Sequence, residues 1–228
     1  MLNQKIRETI AATRASLPQE LVALIEQGAG EISALDIIER ARNVGDLVPD
    51  FNLSNQHGER RQLRDYLLRG PMVLTFYRGV WCPYCNLQIK EYSDRLADIE
   101  SLGATLVAIT PEKPDAIEIL TTGGAQQRIL DMLVDEVPFD VLHDPGSRIA
   151  EAFGLVFQLP ESHRRLLEAM SVDLTALNGD DSFTFPDPAT YVISPRGEIV
   201  WAFVPNNYRK RAEVGQIVDA LGAISAAA

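Results

Sequence analysis

Val73-Leu74-Thr75-Phe76-Tyr77-Arg78-Gly79-Val80-Trp81-Cys82-Pro83-Tyr84-Cys85 decides how this chain is read. Its first five residues, β-branched and aromatic after the break Arg69-Gly70-Pro71, predict a strand. Downstream, Cys85, Ile89, Tyr92, Leu96 and Ile99 recur at intervals of four, three, four and three, which predicts an amphipathic helix over Pro83 to Ser101. Pro83 then occupies the first helical position, where a missing N–H costs nothing, and Cys82 becomes the N-cap.

That placement gives the sulfurs different chemistry. Free backbone N–H groups and the helix dipole favour a thiolate at Cys82, and Arg78, four residues upstream, could add charge. Cys82 is the expected nucleophile, partly exposed. Cys85 lies one turn inside on the buried stripe, so burial keeps it a thiol, the expected resolving cysteine. Residues three apart on a helix are neighbours, so a reversible Cys82–Cys85 disulfide is geometrically open. Structural alternatives fit less well. Such a disulfide closes a tiny loop and removes little chain entropy. A zinc site needs four ligands, whereas there are no other cysteines and His57, His143 and His163 are single and widely spaced. No metal and no cofactor are expected.

The 228 residues are 46% apolar and 23% charged, enough for one globular domain with an extension. No stretch of signal-peptide or membrane-span length stands out, which predicts a cytoplasmic protein. A net charge of −11 argues against nucleic acid and anionic membranes as partners. Residues 1–43 read as a helical arm, punctuated by Pro18 and by Gly28 and Gly30, whose apolar stripe must cover either the rest of the chain or a second copy, as in a homodimer.

Residues 44–228 alternate. Strands are expected at Val73–Tyr77, Thr105–Thr110, Phe139–Leu142, Tyr191–Ser194 and Ile199–Phe203, and helices at Pro83–Ser101, Asp115–Val134, Ser147–Phe153 and Lys210–Leu221. Such alternation predicts a mixed α/β sheet, its last two strands a hairpin closed by Ser194-Pro195-Arg196-Gly197. Residues 155–187 break the pattern and read as an insertion, with a short helix near Pro160–Met170, serving as a lid or as surface elaboration.

Gly45-Asp46-Leu47-Val48-Pro49-Asp50-Phe51-Asn52-Leu53 resembles the opening of the alkyl hydroperoxide reductase and thiol-specific antioxidant family, and Phe76 to Leu87 resembles the active-site segment of its peroxiredoxin-like branch. Asp144-Pro145-Gly146, Ala152-Phe153-Gly154, Asn178-Gly179-Asp180-Asp181 and Pro188-Ala189-Thr190-Tyr191-Val192-Ile193 extend the match. The resemblance implies a thioredoxin-like fold (a mixed central sheet flanked by helices), a Cys82 that attacks peroxides, and a thioredoxin- or glutaredoxin-type reductant. Thr75 and Gly79 stand where peroxiredoxins generally carry the proline and threonine of Pro-x-x-x-Thr-x-x-Cys, and Pro188 stands where many carry an arginine. Trp81-Cys82-Pro83-Tyr84-Cys85, with Pro188 ahead of a strand, resembles thioredoxin and glutaredoxin sites instead, which implies a cis Asp187–Pro188 bond facing the dithiol.

The reading is therefore a thiol peroxidase, with a thiol-disulfide oxidoreductase and a redox-sensing binding protein as alternatives. Its site residues are Cys82 and Cys85 for chemistry and Tyr77, Arg78, Trp81 and Pro188 for substrate. A peroxidase needs Arg78, with Arg209 or Arg211, to reach Cys82.

Overall fold

The computed structural model describes residues 1–134 and 136–227, with the side chains of 225–227 left undescribed. Three helices come first: α1 (Leu2–Ser16), α2 (Gln19–Ser33) and the short α3 (Ile37–Arg40). The strand β1 (Asn52–Asn55) and its partner β2 (Arg60–Gln62) follow, then α4 (Leu63–Leu67), β3 (Met72–Phe76), α5 (Pro83–Asp94), α6 (Leu96–Glu100) and β4 (Thr105–Thr110). Next are α7 (Ala116–Thr122), α8 (Gln127–Leu130), β5 (Asp140–His143), a 3-10 turn at Pro145–Ser147 and α9 (Arg148–Ala152). The chain ends with β6 (Val156–Gln158), α10 (Glu161–Ala169), α11 (Leu174–Asn178), β7 (Thr184–Pro186), β8 (Ala189–Ile193), β9 (Ile199–Phe203) and α12 (Val214–Ala227).

The strand Met72–Phe76 is buried along its whole length because it lies inside the seven-stranded sheet β2-β1-β5-β4-β3-β8-β9. It runs parallel to β4 and antiparallel to β8, and β4 is parallel to β5. A strand covered on both faces needs an unbroken apolar run, which Met72 to Phe76 supplies apart from Thr75. At its carboxyl end Phe76 pairs with Ile109 on one side and Ala189 on the other. In open α/β sheets that edge is where ligands are held. The mixed α/β, thioredoxin-like architecture is as expected from the sequence, including the β8–β9 hairpin, where Gly197 N–H bonds Ser194 O at 2.9 Å. Among the described residues no helix is long and apolar enough to cross a membrane.

Several boundaries differ, each for a physical reason. The expected helix Pro83–Ser101 breaks at Arg95, which leaves helical geometry (φ −117°, ψ 18°) while Tyr92 and Ile99 keep the same buried stripe. The helix expected over Asp115–Val134 is split by Gly123-Gly124, the second at φ +78°. The last helix begins at Val214 rather than Lys210 because the preceding residues are tied down individually: Arg211 N–H bonds the Asn3 side chain, and the Glu213 carboxylate takes Leu2 and Asn3 N–H, both at 2.8 Å. Residues 155–187 hold the two-stranded sheet β6–β7 and a second helix, α11, besides the expected one, α10.

The arm covers this chain. Leu2, Ile6, Ile25, Ile32 and Ile37 are buried, α1 packs on α5 with Lys5 on Glu91 at 2.6 Å, and α2 packs on α10. Gly28, expected to punctuate the arm, lies inside α2 instead and permits that contact. A Cβ there would stand 1.7 Å from His163 Nδ1.

Candidate functional site

Tyr77 N–H bonds Ile109 O, extending the β3–β4 ladder by one residue, and the chain then turns out of the sheet through Arg78 to Trp81. Gly79 makes this turn at φ +145°, where side-chain-bearing residues are strained. Cys82 N–H bonds Gly79 O at 3.2 Å, and Cys82 caps α5 with Pro83 in its first turn. The Asn86 amide donates to Val80 O at 2.6 Å and fastens the loop to the helix.

Each sulfur has its own buried guanidinium. Arg78 Nη2 lies 3.3 Å from Cys82 Sγ, and Arg211 Nη2 lies 3.1 Å from Cys85 Sγ. Arg211 is fixed by Gln88 Oε1 (2.6 Å), Tyr208 O (2.7 Å) and Lys210 O (2.7 Å), and Gln88 is in turn held to Thr75 at 2.8 Å. Arg78 is held differently. Its Nε and Nη1 have no hydrogen-bond partner, and its guanidinium lies between the Trp81 and Tyr208 rings, 4.8 and 4.1 Å from their centroids. Two aromatic faces and one sulfur therefore hold this cation.

The electrostatics separate the thiols. Burial opposes ionisation of Cys82, but the Cys85 hydrogen bond and the charges of Arg78 and Arg211 outweigh it and hold its pKa well below the ordinary value. Burial pushes Cys85 well above, reinforced by the hydrogen bond to Cys82 and by its charge. The pair is a thiolate at Cys82 beside a thiol at Cys85. Both cysteines are free, and both have no exposed surface.

A second ring of residues closes over them. The Tyr208 hydroxyl meets His163 Nε2 at 3.1 Å, and Arg209 bridges to Glu26 of the arm at 3.1 Å. Burial, with Arg78 and Arg209 nearby, lowers His163 to about 3, so the imidazole is neutral. Behind the loop lies Glu112, whose Oε2 accepts from Val80 N–H at 2.8 Å while Oε1 has no partner. Burial lifts its carboxyl to about 8. Asp187 is buried without a close hydrogen-bond partner, and burial raises it to about 6 against the pull of Arg211, Arg78 and the Asn206 backbone N–H.

Arg78, Trp81, Cys82 and Cys85 thus come together, and of the two downstream candidates Arg211 reaches the dithiol while Arg209 turns to the arm. Tyr77 lines a cavity of about 100 Å³ behind the loop, together with Glu112 and His143. Pro188 is buried where the chain enters β8. Two expectations are corrected. Cys82 is fully buried rather than partly exposed, because Arg78 and the rings of Trp81 and Tyr208 cover the helix terminus. The Asp187–Pro188 bond is trans, since the chain arrives extended from β7, with Asp187 N–H on Leu155 O at 2.9 Å, and no tight turn is needed there. Tyr208, His163 and Glu112 escaped sequence reasoning. Only Glu112 left a signal, as a carboxylate just past the carboxyl end of a central parallel strand.

A model of the AhpC/TSA family matches residues 44–202. A Mycobacterium tuberculosis H37Rv protein named as a peroxiredoxin is 32% identical over 111 residues, 48% of this chain and 62% of its own length. Escherichia coli K12 peroxiredoxin Bcp is 28% identical over 112 residues, 49% of this chain and 64% of its own. The chain therefore spans a little over three fifths of these curated relatives. Among solved structures, Mycobacterium tuberculosis peroxidoxin BcpB is similar with a TM-score of 0.56 and 20% identity, covering 81% of this chain and 97% of that one. Reduced Plasmodium vivax 2-Cys peroxiredoxin gives 0.60 and 15%, covering 81% and 83%. At those identities the likeness is one of fold. The match across residues 44–202 goes further: the chain belongs to the AhpC/TSA family.

Proposed function

We propose that this chain is a thiol-dependent peroxidase in which Cys82 is the nucleophile and Cys85 resolves it. The Arg78 guanidinium on the Cys82 sulfur carries the reading, since it supplies a thiolate at neutral pH and charge for an oxygen–oxygen bond as it breaks. Cys82 thiolate attacks the peroxide, the O–O bond breaks, and the departing oxygen takes a proton to leave as water or alcohol. The resulting sulfenic acid condenses with the Cys85 thiol, releasing water and forming the disulfide. An external dithiol of thioredoxin or glutaredoxin type then reduces it by exchange. Arg211, 3.1 Å from Cys85 Sγ, favours the Cys85 thiolate that this condensation needs. In this reading residues 44–228 carry the chemistry, with 155–187 as part of its cover, and the arm 1–43 braces that cover.

Complete burial of both sulfurs supports a small oxidant over a protein disulfide as the first substrate. Trp81, packed edge-on against Phe185 at 5.7 Å, and Arg78 form the wall a peroxide would pass. Stopped-flow mixing of the reduced protein with hydrogen peroxide, an alkyl hydroperoxide and oxidised glutathione tests this. The peroxides are expected to react fastest, Cys82→Ser to be inert, and Cys85→Ser to consume one equivalent and stop as a sulfenic acid trapped by dimedone. Rapid reaction with oxidised glutathione alone would favour the oxidoreductase reading instead.

A further inference from the structure

We infer that Glu112 is the catalytic proton donor to the oxygen that leaves when Cys82 attacks a peroxide. The inference rests on the peroxidase reading and supplies the proton that step requires. A thiolate has already given up its proton, so the balanced reaction is Cys82-S⁻ + ROOH + Glu112-COOH → Cys82-SOH + ROH + Glu112-COO⁻. Sulfur is oxidised, the peroxide is reduced, the O–O bond breaks as the S–O bond forms, and the alkoxide leaves as the alcohol.

The geometry singles out one oxygen. Glu112 Oε2 already accepts from Val80 N–H at 2.8 Å and from the Thr110 hydroxyl at 3.4 Å. An acid proton on this carboxyl therefore sits on Oε1, which is buried without a partner. The indole Nε1–H of Trp81 is likewise buried and unpaired. Both atoms converge beside Gly79: a Cβ built there would lie 2.4 Å from Glu112 Oε1 and 2.6 Å from Trp81 Nε1. Two unused donors thus meet under the turn that ends at Cys82, where any side chain would exclude them. Unsatisfied buried donors are costly, and a developing oxyanion would satisfy both.

Charge bookkeeping agrees. When the thiolate becomes a neutral sulfenic acid, Arg78 loses its counter-charge, and proton loss from Glu112 restores one negative charge behind the same loop. At neutral pH the carboxyl holds its proton, because burial lifts it to about 8. The other groups facing it keep their form across that range: Cys82 at the α5 cap is a thiolate, Tyr77 after β3 stays protonated, and His143 at the end of β5, whose Nδ1 lies 2.7 Å from Glu112 O, stays neutral. Lys113 follows it in the chain and lines the same cavity.

The test is Glu112→Gln, which keeps the acceptor for Val80 N–H, assayed with tert-butyl hydroperoxide and with peracetic acid. An alkoxide needs a proton to leave and acetate does not. Loss of general acid catalysis should slow the alkyl hydroperoxide by about a hundredfold or more while peracetic acid and iodoacetamide keep rates within about threefold of wild type. An equal loss with peracetic acid would make Glu112 a merely structural residue and overturn the proposal. A wild-type protein inert to both peroxides would instead remove the peroxidase reading itself. Should the variant fold poorly, the wild-type pH profile decides: the hydroperoxide rate should fall with an apparent pKa near 8 while iodoacetamide alkylation does not, and a hydroperoxide rate that stays flat there contradicts the proposal.

Discussion

Arg78 donates to the Cys82 sulfur at 3.3 Å and gives its remaining buried nitrogens to nothing but aromatic faces. A guanidinium so placed depends on the thiolate as much as the thiolate depends on it. Hydrogen bonds would fix its direction rigidly, whereas two ring faces fix its plane and leave the charge for sulfur. Arginine rather than lysine suits this, because a flat delocalised cation stacks and is weakly hydrated.

Arg78→Met keeps much of the volume between the rings and removes the charge. The Cys82 pKa should rise by about one to three pH units, as expected when an opposite charge in contact is lost. The pH dependence of Cys82 alkylation by iodoacetamide, read by mass spectrometry, measures it. An unchanged profile would assign the acidity to the helix terminus and Arg211 instead.

Gly79→Ala would drive a methyl group to 2.4 Å from Glu112 Oε1 at a backbone angle of φ +145°. Destabilisation of about 1–3 kcal/mol is expected, with a displaced Cys82 loop and a slower thiol. Urea denaturation gives the first and alkylation kinetics the second.

Gly28→Ala acts far from the sulfurs in sequence. Its methyl meets the His163 ring, so α2 must move off α10, and the Tyr208 hydroxyl that His163 holds is loosened. The expected outcome is a loss of about 1–3 kcal/mol together with faster labelling of Cys82 by a bulky disulfide reagent. Slower labelling would show that the arm does not brace the cover.

The contribution of Glu112 to stability should fall as pH rises from about 4.5 to about 8, because folded Glu112 keeps a proton that the unfolded chain, with its ordinary value of 4.5, has lost; Cys82 and His163, both held low in the folded state, act in the opposite sense. The slope from this group is at most about 1.4 kcal/mol per pH unit. Asp187, raised to about 6, tilts the lower part of the window the same way. Asp140, held low in the folded state, contributes stability above its ordinary value that is lost only as pH falls below it. The difference between wild type and Glu112→Gln, from urea midpoints across the range, isolates the one carboxyl. Parallel curves would mean that Glu112 is ionised in the folded protein.

Much of the fold could be read locally. The run expected at Val73–Tyr77 is a strand one residue earlier, at Met72–Phe76, because every residue but Thr75 is apolar and suits a site covered on both faces, and Ile199–Phe203 matches its expected limits. The short strands Asn52–Asn55, Arg60–Gln62, Val156–Gln158 and Thr184–Pro186 carry too few residues for a period to show. The break at Arg95 was hidden because side-chain spacing survives one non-helical residue. At the site, local sequence supplies Arg78, Trp81, Cys82 and Cys85, all within one turn and one loop. It could offer Arg211 only as a candidate, since Arg211 is 126 positions from Cys85, and it is silent on Tyr208 and His163, which arrive through packing alone.

The bracing of the site by distant segments has a consequence for the newly made chain. Asn3 holds Arg211 by its backbone, Glu26 holds Arg209, and His163 holds Tyr208 over Arg78. Until those segments assemble, Cys82 is an ordinary cysteine with a pKa near 8.5, mostly protonated and slow to oxidise. Oxidant sensitivity is then acquired with maturation, and the rate at which Cys82 alkylates becomes a clock for the completion of folding.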